Sequence, residues 1–109
     1  MARFDISAVG KAVLNAAANA AGNTWKKIQH DFTADLQQVL QNASNIALQL
    51  ESGQLSEAEA QDLLKDQSAI LFLLAEEVDV DSQIVVQNAV NAAVDALWSA
   101  VKAAAGLAA

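Results

Sequence analysis

The chain is expected to be all-α: an antiparallel helical bundle of three long helices plus a shorter N-terminal helix. Three observations lead there. Proline is absent and the four glycines (Gly10, Gly22, Gly53, Gly106) are isolated, so little in the chain breaks a helix. Alanine, the strongest helix former, supplies 25 of 109 residues, and aromatics are limited to Phe4, Trp25, Phe32, Phe72 and Trp98. Apolar residues recur every three or four positions over long stretches, which is the period of a helix with one buried face. The length fits one domain over residues 1–109, able to bury roughly two-thirds of its unfolded surface.

The first helix is expected over roughly 5–22. Asp5 or Ser7 can cap it, and Ile6, Val9, Val13, Ala16 or Ala17, and Ala20 follow helical spacing. Gly22-Asn23 is a stop signal and Thr24 a new cap, although residues 5–51 could also run as one kinked helix.

The second helix, roughly 24–51, has the clearest pattern. Trp25, Ile28, Phe32, Leu36, Val39, Ala43, Ile46 and Leu50 step by three or four, and Leu40 and Ala47 widen the seam. At 1.5 Å per residue it would be about 40 Å long.

"ESGQLSEAEAQ" (51–61) reads as a turn. Gly53 suits the left-handed position after a helix. Ser56 and Glu59 form a capping box, each side chain taking the other's backbone N–H. So short a loop makes neighbouring helices antiparallel.

The third helix is expected over roughly 56–77. It begins polar and ends in "AILFLLA" (69–75), with Leu63, Leu64, Ile70, Leu71, Phe72, Leu73, Leu74 and Val78 covering almost its whole circumference. Such a helix is either central or partly an interface. The fourth, roughly 82–106, carries Val86, Val90, Ala93, Leu97, Val101 and Ala104 on one stripe, flanked by Val94 and Trp98. The tail Leu107–Ala109 is expected to fray.

Charge narrows the function classes. The formal net charge is −7. Residues 51–81 hold nine acids and one lysine, residues 1–50 hold four bases and three acids, and residues 82–109 balance Asp95 with Lys102. A nucleic-acid backbone needs clustered Lys and Arg, and so does attachment to anionic lipid. Nucleic acid is therefore not an expected partner. No convincing signal peptide is present, since the apolar stretch near the N-terminus is interrupted by Asp5, Lys11, Asn15 and Asn19. The longest strongly apolar run is seven residues, against about 20 for a membrane span. A cytoplasmic location is the resulting expectation.

No catalytic or cofactor motif stands out, and the chain is not expected to be an enzyme. Cysteine is absent, which removes thiol nucleophiles, thiolate metal sites and disulfides. His30 is the sole histidine, beside Asp31 and Asp35, and no Glu-x-x-His pair exists for a di-iron bundle. No nucleophile elbow and no Gly-rich phosphate loop is present.

"EEVDVD" (76–81) concentrates Glu76, Glu77, Asp79 and Asp81. Asp79, Asp81 and Gln83 are spaced like the first ligands of a Ca²⁺ loop, but the turn glycine is missing and Val90 stands where the twelfth-position Glu belongs. An acidic elbow is the better reading: Glu76 and Glu77 close the third helix, and Asp79 or Asp81 caps the fourth, where negative charge suits the helix N-terminus. No metal or cofactor is expected.

The functional expectation is a small non-enzymatic interaction module that self-associates, or meets a protein partner, through apolar helix faces. The candidate interface residues are Val9, Val13, Trp25, Ile70, Phe72, Leu73 and Trp98. The alternative is a surface-active protein whose amphipathic helices open onto membrane or granule lipid. Its support is the Ala-rich stretch "IVVQNAVNAAVDALWSAVKAAAGLAA". In its Ala- and Gln-rich composition, though in no motif, the chain resembles small phasin-like proteins that coat hydrophobic granules.

Overall fold

A computed structural model describes residues 4–107. Those residues are helical in four stretches, with no strand among them. The helix α1 spans Ile6–Ala21, α2 Trp25–Glu51 and α5 Val80–Ala104. Between α2 and α5 the chain forms α3 (Glu57–Gln67), a short α4 (Ala69–Phe72) and a 3₁₀ segment (Leu73–Glu77). The particle measures 42 × 23 × 22 Å, and its long axis matches the roughly 40 Å length of α2. Beyond Leu107, the expected fraying of the tail falls outside the described residues.

Local signals set most helix ends. Asp5 caps α1, its Oδ1 accepting the Ala8 N–H at 3.1 Å. Residues 5–51 form two helices, because Gly22 leaves the helical region (φ 55°) and Gly22–Thr24 makes one 3₁₀ turn. Thr24 precedes α2 as expected but does not cap it: its backbone is already helical and its hydroxyl makes no cap bond. The capping box of α3 is present in both directions, Ser56 Oγ accepting from the Glu59 N–H at 3.1 Å and Glu59 Oε1 from the Ser56 N–H at 2.9 Å. Gly53 takes φ 82°, and the Gln54 N–H closes the end of α2 onto the Gln49 carbonyl at 2.9 Å.

The core follows the stripes. Ile28, Phe32, Leu36, Val39, Leu40, Ala43, Ile46 and Ala47 of α2 are buried, as are Val86, Val90, Ala93, Leu97, Val101 and Ala104 of α5. On α1 the buried line is Gly10, Val13, Ala17 and Ala21, while Ala20 is exposed, so this helix is turned slightly from its expected face. The reason is a close approach: a Cβ built on Gly10 would lie 3.1 Å from Leu40 Cδ1. Glycine there lets α1 sit directly on α2. The most extensive packing is between α1 and α5, two Ala-rich helices whose small side chains permit it.

The third stretch is not the continuous helix expected over 56–77. It breaks at Ser68 and tightens into 3₁₀ geometry. The tightening sorts "AILFLLA" into faces. At the break the Leu71 N–H bonds the Ser68 carbonyl three residues back at 3.0 Å, and from Leu73 onward the segment is 3₁₀, in which positions i and i+3 eclipse. Ser68, Leu71 and Leu74 then share one buried row, and Ile70, Leu73 and Glu76 one exposed row. The cost is the Ser68 hydroxyl, fully buried with no hydrogen-bond partner.

Candidate functional site

The acidic elbow joins the 3₁₀ segment to α5. Glu76 and Glu77 end the 3₁₀ segment, Val78 is extended, and Asp79 is the N-cap residue of α5. The first turn of α5 thus opens at Val80, two residues before the expected start. Asp79 has the extended backbone of a cap, but its side chain makes no cap bond. It turns to α2 instead, where Lys27 Nζ lies 3.2 Å from Asp79 Oδ1 and 3.4 Å from Ser82 Oγ. The Ser82 hydroxyl and the Lys27 ammonium hold the Asp79 carboxyl below its usual proton affinity.

Glu77 has the opposite environment. It faces Asp31 and Asp35 of α2, and a shared hydrogen bond with Asp31, some desolvation and repulsion from both aspartates raise its proton affinity. The elbow therefore rests on α2 through one attractive pair and one repulsive cluster. Among the described residues, no group of three or more His, Asp or Glu is arranged to hold a metal ion.

The candidate interface residues differ in burial. Val13 is fully buried in the core. Val9 and Trp25 are half-buried, with Trp25 packed edge-on against Phe32 at 5.2 Å between ring centroids. Trp98 is half-buried beneath Lys102, whose Nζ lies 5.9 Å from the ring centroid. Phe72 is half-buried, while Ile70 and Leu73 are exposed on the row that ends in Glu76.

Several exposed apolar residues fall outside that set. Leu48 is 63% exposed, Val80 78% and Ile84 68%, against 41% for Ile70 and 56% for Leu73. Their signal in the sequence is positional. Val80 and Ile84 are four apart and lie off the Val86–Val90–Ala93–Leu97 stripe, and Leu48 lies off the Ala43–Ile46–Leu50 seam. The 3₁₀ segment and α4 both pack on α5, and along the chain the elbow acids stand between the Ile70–Leu73 pair and the Val80–Ile84 pair.

His30 lines an open trough on α2 with Lys26, Gln29, Thr33, Ala34 and Gln37. One helix supplies every wall, so nothing closes over a ligand or excludes water from it. Helix α5 is long and apolar enough to cross a membrane by length and composition, with a mean hydropathy of 1.3 over its best window, although no single run within it is long. Of that window, 39% is buried within the protein. Compared with known proteins, the chain matches no family model, no curated protein and no solved structure.

Proposed function

We propose that this chain is a non-enzymatic interaction module, folded as an antiparallel helical bundle, that self-associates through apolar helix faces. Pairwise anchors support the antiparallel order. Gly10 of α1 meets Leu40 of α2, and Asn42 Nδ2 of α2 donates to Gln67 Oε1 of α3 at 2.7 Å, the second pair nearly equidistant from the loop that joins its helices and the first offset by about one helical turn. The elbow returns the chain to the start of α2 at Lys27.

The observation that carries the self-association reading is Leu48, a large apolar side chain left 63% exposed on α2 away from the elbow, with Val9 and Trp98 half-buried on α1 and α5; Ile70, Leu73, Val80 and Ile84 are exposed beside the elbow acids. Covering Leu48, Val9 and Trp98 removes apolar surface from water at roughly 25 cal/mol per Å². A second copy of the chain does this on faces away from the acidic elbow, with Leu48 on one helix and the Val9 and Trp98 surroundings on others.

The alternative is a lipid surface that α5 enters after the bundle opens; the composition of that helix favours it. Light scattering with and without phosphatidylcholine vesicles separates the two. The expected result is a dimer or larger mass that rises with concentration, falls on Leu48→Gln, and is unaffected by vesicles. A monomer at all concentrations that leaves vesicles alone overturns both readings. Vesicle binding with loss of tertiary packing replaces the first with the second.

A further inference from the structure

The elbow sets apolar residues among acids. Before it stand Ile70 and Leu73, in line with Glu76, and after it Val80 and Ile84, beside Asp81. All of these are exposed, as are Glu77 and Asp79. Asp31 and Asp35 of α2 add charge of the same sign behind Glu77, and Lys27 is the base paired there, already bound to Asp79. Two elbows placed face to face would oppose Glu76, Glu77, Asp79 and Asp81 with their own copies. Like charges brought together and desolvated in this way resist association. A second copy is therefore a poor occupant of this face. An anionic lipid surface is repelled for the same reason.

We infer that the elbow face, Ile70–Ile84, docks a basic amphipathic helix of a different protein. Such a helix offers an apolar stripe to Ile70, Leu73, Val80 and Ile84, and lysines or arginines at its edges to Glu76, Glu77 and Asp81. The apolar contacts supply the affinity, and the charges set the orientation and exclude acidic partners. The inference rests on the interaction-module reading but not on self-association. The mass of the chain alone tests the second copy, and a peptide titration tests the elbow.

The experiment titrates the full chain with a fluorescent 18-residue designed helix carrying leucine on one face and lysine on the other. A control peptide keeps the leucine face and replaces every lysine with glutamate. Saturable binding of the lysine peptide alone is expected, weakening with salt, with amide shifts confined to residues 70–84 and their packing neighbours. Leu73→Ser and Ile84→Ser should each weaken it by about tenfold, the effect of losing one central apolar anchor. Glu76→Gln with Asp81→Asn should reduce both affinity and salt dependence, while Asp95→Asn, further along α5, should change neither. Ile84 is so exposed that its variant should keep the wild-type melting temperature, which separates lost binding from lost folding. Absence of binding, equal binding of both peptides, or binding indifferent to Leu73→Ser and Ile84→Ser overturns the proposal. Capture by phosphatidylcholine vesicles without peptide binding also overturns it, in favour of lipid.

Discussion

Lys27 and Asp79, fifty-two positions apart, meet at 3.2 Å and tie the start of α2 to the start of α5. The contact turns a residue in the N-cap position into a cross-helix anchor, since Asp79 spends its carboxylate on Lys27 rather than on the free N–H groups of α5. Both partners are more than half exposed, so water and salt screen the pair. Lys27→Met should lower the melting temperature only slightly, and about 1 M NaCl should erase the difference. A large, salt-independent loss would mean that Lys27 acts through packing instead.

Glu77 gives the protein a pH response of opposite sign to that of Asp79. Folding raises the proton affinity of Glu77 through Asp31 and Asp35, so its ionisation works against the fold. The penalty is absent at low pH, grows as pH rises above the ordinary value of 4.5, and is complete above the raised folded value. Asp79 and Glu59 are held low, Asp79 by Ser82 and Lys27, Glu59 by the Ser56 backbone and hydroxyl. Their stabilisation is full above their ordinary values and is lost as pH falls through the folded ones. Glu77→Gln should therefore raise the urea midpoint at pH 7 and flatten its decline above 4.5, leaving the acid limb unchanged. An unaltered profile would remove the repulsive cluster from the account.

Gly10 is tested by filling the space it leaves. A side chain at that position meets Leu40 almost at once, so Gly10→Ile should destabilise by about 2 kcal/mol through overpacking. Leu40→Ala alone should cost about 3 kcal/mol, because Leu40 is buried in the core. Combined, the two should cost clearly less than their sum in chemical denaturation. Strict additivity would show that α1 does not rest on α2 at this point.

Ser68 makes the opposite prediction for a buried polar atom. Its hydroxyl is enclosed and unpaired at the break between α3 and α4. Ser68→Ala removes that penalty and should stabilise by about 1 kcal/mol. A loss of stability would place an ordered water or an unseen partner on the hydroxyl.

The helix stripes were legible because a 3.6-residue period needs only the identity of neighbours. Each stripe residue predicted on α2 from Ile28 to Ile46 is buried, and so is each on α5 from Val86 to Ala104. The turn at 52–56 was equally legible, since Gly53 and the Ser56–Glu59 box act within four residues. The elbow was recognisable as the acidic junction between two helices. Its attachment to α2 was not, because no local pattern pairs Lys27 with Asp79 or sets Glu77 against Asp31.

By itself, then, the sequence determined the helical class, the seams of α2 and α5 and the chemistry of the short turns, all of them effects of residues within one or two turns of each other. Only the tertiary structure decided which residues of "AILFLLA" face water. A run apolar on every side carries no information about its own orientation. Packing against α2 and α5 supplied it, through the break at Ser68 and the tightened turns that bury Leu71 and Leu74 and leave Ile70 and Leu73 outside.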